Sequence, residues 1–203
     1  MSTCGPERLW EKQWSGHLSQ DEFSSQISKI LIIYTGGTIG MKPSPAGYIP
    51  EENYLENALR KMPILHDEGF CNSRRGQDQC VITTSAECLY LPISMTKIRI
   101  IYEILEYAPL IDSSNMQMEN WVLLAKDIKK YYEYFDGFVI LHGTDTMAYS
   151  ASALSFMLEF LGKPVIFTGA QVPIFEQRSD GRENLLGALY CAGHYCIPEV
   201  LFL

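Results

Sequence analysis

Residues 30–39 read Ile30-Leu31-Ile32-Ile33-Tyr34-Thr35-Gly36-Gly37-Thr38-Ile39, an unbroken β-rich apolar run that ends on a threonine–glycine box. A run without polar alternation is what a strand buried on both faces of a parallel sheet requires. About a hundred residues later the same pattern returns, as Phe138-Val139-Ile140-Leu141 followed by His142-Gly143-Thr144-Asp145-Thr146. Each box leads into material that restarts as loop or helix. Hydroxyls are thereby placed at the carboxyl ends of two buried strands, where open α/β sheets bind their ligands.

Outward from the boxes, helix and strand alternate. Met41–Tyr48 is dense in Pro and Gly and reads as loop. Glu51–Met62 carries Tyr54, Leu55, Ala58, Leu59 and Met62 at helical spacing, and Pro63 stops it. Ile98–Leu105 reads as a strand, although its apolar spacing also permits a helical turn. Glu119–Phe135 is the clearest helix, with Trp121, Leu124, Ala125, Ile128, Tyr131, Tyr132 and Phe135 on one side. Met147–Leu161 is a helix ended by Gly162 and Pro164. Val165–Thr168 is a strand, Arg182–His194 a helix, and Val200–Leu203 opens one more strand. Cys71–Thr96 has no clear period, although Cys80–Thr84 and Cys88–Ile93 permit strands. Residues 1–28 read as an irregular arm in which Trp10 and Trp14 permit a short docked helix, and the fold proper begins near Lys29. The economical architecture is α/β, an open, mainly parallel sheet flanked by helices.

Composition narrows the function classes. The 203 residues fill one domain plus an arm, and 47% hydrophobic residues is a globular value. A formal charge of −8 argues against a nucleic-acid partner, and the short Arg74-Arg75 pair is too small to change that. No basic-then-apolar leader is visible, and no apolar run is long enough for a bilayer. A soluble, cytoplasmic protein with no membrane partner is the expectation. The six cysteines, at 4, 71, 80, 88, 191 and 196, form no CxxC pair. No metal site is expected, and the thiols read as buried or incidental in a reducing compartment.

The polar residues each admit two readings. Gly36 and Gly37 allow a sharp turn and close approach to a ligand, with Thr38 presenting a hydroxyl, but the same residues make ordinary turns. Asp145 can grip an ammonium group and Thr144 can bond a small polar substrate; alternatively either one caps the Met147 helix. His142 reads better as a neutral histidine hydrogen-bonded at a strand end than as a base, since no GxSxG elbow accompanies it. Asp112-Ser113-Ser114 is a capping segment or a source of groups for a zwitterionic ligand. Tyr48 is an exposed loop aromatic or a partner that orients Thr38.

The motifs Thr35–Met41 (TGGTIGM), Asp112–Met116 (DSSNM), His142–Tyr149 (HGTDTMAY) and Ser179–Gly187 (SDGRENLLG) stand in this order. Together they resemble the cytosolic, type I-like L-asparaginases over roughly residues 29 to 203, and the larger vertebrate relatives described as lysophospholipases. The resemblance implies hydrolysis of L-asparagine to aspartate and ammonia, without a cofactor, through an acyl-enzyme on Thr38. It implies that Thr144 belongs to the activating group, and that Asp145, Asp112, Ser113 and Ser114 bind substrate. Tyr48 matches the family's flexible Gly-Tyr-Ile-Pro loop. It also implies a homo-oligomer in the full-length form, a lysine beyond the strand near Val200, and a smaller C-terminal domain. The sequence ends at Leu203, before both, so 29–203 is expected to be the N-terminal catalytic domain, incomplete at its C-terminal end. An inactive chain that binds or associates with intact subunits is the alternative, as is a member with lysophospholipase activity.

Overall fold

The computed structural model describes residues 27–45, 47–78, 80–82, 88–93 and 98–203. The expected arm, Trp10 and Trp14 included, lies outside the described residues but for Ile27 and Ser28, which begin the first strand.

That strand, β1 (Ile27–Tyr34), is the centre of the molecule. It pairs in parallel with β5 (Arg99–Glu106) on one side and with β6 (Gly137–Leu141) on the other. The sheet continues through β7 (Val165–Thr168) to β8 (Val200–Phe202), all parallel, and β8 forms one edge. The short β4 (Leu89–Tyr90) closes the other edge and runs antiparallel to β5. The sheet is therefore mainly parallel, as expected. The chain leaves β1 toward β5 and then crosses back to β6, so the order of strands reverses at β1.

Alternate residues of β1 enter two separate cores, as a strand covered on both faces must do. Ile30, Ile32 and Tyr34 pack with Leu55 and Leu59 of α1 (Tyr54–Leu59) and with Leu185, Ala188, Leu189 and Ala192 of α5 (Gly181–His194). Leu31 and Ile33 pack on the opposite face with Leu124 and Ile128 of α3 (Met118–Tyr131) and Met147, Ala151 and Leu154 of α4 (Met147–Met157). The helix expected over Glu119–Phe135 ends at Tyr131; of its expected stripe Leu124 and Ile128 are buried, Trp121, Ala125, Tyr131 and Tyr132 are half-buried, and Phe135 is buried beyond the helix end. Asp136 ties this layer down: its N–H donates to the Lys29 carbonyl, and its carboxylate accepts from the Lys29 N–H.

Several expectations are corrected. Met41–Tyr48 is not wholly loop: β2 (Lys42–Ser44) and β3 (Gly47–Ile49) form a two-stranded hairpin. Pro43 is tolerated there because a two-stranded ribbon has no third strand awaiting its missing N–H. The Glu51–Met62 helix is confined to α1, because Asn53 adopts a left-handed conformation (φ 59°) just before it. Glu68–Ser73 is a helix, α2, that the sequence pattern hid; the Asp67 carboxylate caps it by accepting from the Phe70 N–H. Cys88–Ile93 contributes only the two residues of β4, and Cys80–Ile82 is not strand. Residues 83 and 84 of the other candidate strand lie outside the described residues. Helix α4 ends at Met157 rather than Leu161, closed by the Leu158 N–H donating to the Leu154 carbonyl, and Phe160 turns left-handed (φ 56°).

The cysteines also depart from expectation. Cys80 and Cys88 are joined in a disulfide, so they are not incidental thiols. Cys71, Cys191 and Cys196 are not joined in a disulfide. Among the described residues, no helix is long and apolar enough to cross a membrane.

The two faces predict contrasting mutational costs. Phe138→Ala removes a fully buried ring stacked on Tyr132 and is expected to cost about 3–5 kcal/mol in urea unfolding. Phe160→Ser, at a fully exposed ring, is expected to change stability by no more than about 0.5 kcal/mol.

Candidate active site

Four loops meet at the carboxyl ends of the parallel strands, and glycines let them meet. A Cβ on Gly37 would stand 2.6 Å from the backbone nitrogen of Gly143 and 2.7 Å from its Cα, so the two boxes pack backbone against backbone. Gly37 also has φ 92°, a conformation that disfavours any side chain. Gly36 lies equally tightly against the backbone of Ile111, and Gly143 against the Ser113 side chain. The Asp112–Ser114 segment is thereby brought to both boxes.

Hydrogen bonds lock the same loops. Thr35 uses both its N–H and its hydroxyl to hold the Leu141 carbonyl, each at 3.0 Å. The Ile111 N–H donates to the Thr35 carbonyl at 2.7 Å. The Thr146 hydroxyl donates to the Ser113 carbonyl at 2.7 Å, and the His142 N–H to the Thr168 carbonyl at 2.9 Å. The first threonine of box one and the last of box two are structural ties.

Thr38 and Thr144 are left as the hydroxyls that immediately follow the touching glycines. Thr38 is half-buried at the start of a short 3-10 turn, Thr38–Gly40. Thr144 and Asp145 are exposed in the turn before α4. Neither caps that helix: its N-cap position belongs to Thr146, whose carbonyl accepts from Tyr149 and Ser150. The Thr144 hydroxyl instead accepts from the Gln171 amide at 3.0 Å. Asp112 does serve as a cap, its carboxylate accepting from the Ser114 N–H at 3.0 Å. Ser113 is buried, whereas Asp112 and Ser114 are exposed. Tyr48 sits on the exposed hairpin, and its hydroxyl donates to Glu176 at 3.1 Å rather than to Thr38.

Box two rests on a buried polar chain. Nδ1 of His142 is 2.7 Å from the Gly143 carbonyl, which can only accept, so Nδ1 carries the proton. Nε2 must then accept from the Ser150 hydroxyl at 2.9 Å, and Ser150 in turn accepts from the Trp121 indole N–H at 2.8 Å. Burial pushes the His142 pKa below its ordinary 6.5, only partly opposed by the Gly143 carbonyl. His142 is the neutral, strand-end histidine expected.

Sequence reasoning missed the supports. Gln171 lies in the loop after β7, and the rule that ligands gather at strand carboxyl ends would have flagged it. Asp180 holds that loop by accepting from the Gln171 and Val172 N–H groups at 2.9 and 3.0 Å. Burial alone would raise the Asp180 pKa; the backbone donors outweigh it and hold the group low. A separate groove of about 410 Å³, lined by Arg60, Lys61, His66, Asp67 and Glu68 among others, opens near β4 and the amino-terminal end of β5. It lies at the opposite end of the strands from the boxes, so the chemistry is to be sought at the boxes.

A strand-order reversal carrying two threonine–glycine turns in backbone contact is the place where an open α/β sheet binds its ligand. Residues 29–203 match the model of the asparaginase N-terminal domain, and the chain belongs to the asparaginase family. It is 52% identical over 172 residues to the 60 kDa lysophospholipase of Homo sapiens, covering 85% of this chain and 28% of that protein. It is 49% identical over 175 residues to L-asparaginase 1 of Escherichia coli K12, covering 86% and 43% respectively. The crystal structure of L-asparaginase I from Vibrio cholerae superposes with a TM-score of 0.64 at 45% identity, over 87% of this chain and 44% of that one. The chain thus spans less than half the length of these relatives.

Two outcomes follow from this geometry. Gly37→Ala forces a Cβ into the Gly143 backbone and is expected to cost about 3 kcal/mol or more, measured by chemical denaturation. The depressed His142 pKa makes its contribution to stability complete above 6.5 and lost as pH falls below that value. His142→Gln should lower the melting temperature at about pH 7.5 and flatten the decline toward about pH 5. His194, also held low by burial, leaves a residual slope.

Proposed function

We propose that the site hydrolyses the side-chain amide of L-asparagine to L-aspartate and ammonia. The observation that carries this reading is the backbone contact of Gly37 with Gly143, which sets the hydroxyl-bearing residues that follow them, Thr38 and Thr144, on adjoining turns.

In this reading the Thr38 oxygen attacks the amide carbon. The carbonyl π electrons move to oxygen, the proton given up by the Thr38 hydroxyl passes to the amide nitrogen, and the tetrahedral species collapses by expelling ammonia. Water then attacks the resulting ester and releases aspartate, so one difficult hydrolysis becomes two easier steps. Thr144 belongs to the positioning and activating group, oriented by Gln171. Asp145 holds the α-ammonium group of the substrate, and Asp112, Ser113 and Ser114 complete the substrate contacts. Backbone N–H groups of the two turns stabilise the oxyanion, each worth about 3 kcal/mol of barrier. Tyr48, tethered to Glu176 on the hairpin, is the member assigned to the mobile side of the site. No cofactor enters the scheme.

The whole protein is proposed to be a cytoplasmic homo-oligomer. Helix α4 has no charged residue, and it exposes Tyr149 and, toward its end, Phe156, an apolar surface that a partner would cover. The name of the human relative suggests a second substrate class, a lysophospholipid ester. The small polar groups at the boxes favour the amide.

Ammonia release from L-asparagine by the 203-residue chain is the direct test, with lysophosphatidylcholine as the parallel substrate. The expected result is release by the wild type and a fall of roughly a thousandfold or more in Thr38→Ala, with L-aspartate binding retained by calorimetry. Near-normal turnover in Thr38→Ala sinks the nucleophile assignment. No release by the folded wild type sinks hydrolysis by this chain.

A further inference from the structure

The segment with no readable period hides a second cluster of chemistry. Cys80 and Cys88 stand eight residues apart in the chain, and Glu103 of β5 lies beside them. One sulfur from each cysteine and one carboxylate oxygen all lie within 4.8 Å of one another. We propose that Cys80, Cys88 and Glu103 ligate a zinc-class divalent cation when the cysteines are reduced, and that the disulfide is the oxidised, metal-free form of the same site.

The donor set fits. Two thiolates and a carboxylate are ligands that Zn²⁺ accepts, at about 2.3 Å for sulfur and about 2.0–2.2 Å for oxygen. Donors at those lengths about one tetrahedral centre stand roughly 3.3–3.8 Å apart, so the two sulfurs, bonded to each other in the disulfide, part on reduction to take up the ion. The fourth position falls to water. Cys88 and Glu103 are buried, each only 4% exposed, and Cys80 is half-buried, which leaves water a way in. Cys71, Tyr90 and Ile101 form the adjoining apolar cluster with Cys88.

The outer shell holds the carboxylate in one orientation. The Val81 N–H bonds both Glu103 oxygens at 2.9 and 2.8 Å, and the Ile82 N–H bonds Oε2 at 2.7 Å. Outer donors of this kind fix the orientation of a ligating carboxylate. On the Cys88 side, the Cys71 thiol donates to the Cys88 carbonyl, and Leu89 begins the pairing of β4 with β5. The residues beside each cysteine are therefore anchored while the sulfurs change partners.

The exchange balances. A small thiol reductant breaks the S–S bond, giving two cysteine thiols and the disulfide of the reductant. Metal binding then displaces both thiol protons, leaving two thiolates and one carboxylate around a divalent ion.

The test loads the full chain, reduced and then freed of reductant, with Co²⁺ and with Zn²⁺. One equivalent of cobalt with a thiolate charge-transfer band is expected, displaced by zinc and absent from the oxidised chain. Cys80→Ser and Cys88→Ser should each lose the band. Glu103→Gln should weaken binding by roughly a hundredfold, at or beyond the 10–100-fold cost of losing an outer-shell partner. Should these variants fail to fold, alkylation mapped by mass spectrometry on the wild type decides: zinc should protect Cys80 and Cys88 and leave Cys196 as reactive as before. Absence of a stoichiometric ion, unchanged loading in the serine variants, or no protection of Cys80 and Cys88 overturns the proposal.

Discussion

Two peptide backbones, at Gly37 and Gly143, touch where no side chain fits between them. The other loops at this end of the sheet are arranged around that contact. Its origin is the parallel pairing of β1 with β6, which sets Tyr34 opposite Leu141 and so starts the two boxes level with each other. Because side chains alternate along a strand, a slip of one residue would exchange the two cores and separate the turns. The cores that hold β1 therefore also hold the site.

Around this contact the polar groups divide their tasks by burial. Thr35, Thr146 and His142 spend their hydrogen bonds on the backbone or on buried neighbours. Thr38, Thr144 and Asp145 remain at the surface of the turns. An unpaired polar group inside the sheet would cost about 1–3 kcal/mol, which explains why the interior members are tied. The neutral state of His142 follows from the same rule, since its protonation would turn the Ser150 hydroxyl away from Nε2.

The strands were the most legible elements. Val165–Thr168 reads directly as β7, and the runs before each box need only small changes at their ends. Continuous apolar stretches announce central strands because both faces are buried. Short edge elements leave weaker marks: β4 has two residues, and the β2–β3 hairpin is built from Pro, Gly and Ser that also make loops. Helix α2 is six residues long and depends on its Asp67 cap more than on an apolar stripe. Of the candidate site, Thr38, Thr144, Asp145 and Asp112–Ser114 were visible as motifs. Gln171, Ser150 and Trp121 were not, because each reaches the boxes from a different element, and only the folded chain brings them near.

By itself the sequence determined an alternating α/β chain, the two threonine–glycine turns at strand ends, and the family whose motifs recur in order. These are local matters of periodicity, turn chemistry and residue identity. Tertiary structure decided which threonine is a tie and which faces outward, that Asp145 is not a cap, and that Cys80, Cys88 and Glu103 share one spot. Each of those answers depends on distances between residues far apart in the chain, and the packing of β1 between β5 and β6 sets the distances on which they turn.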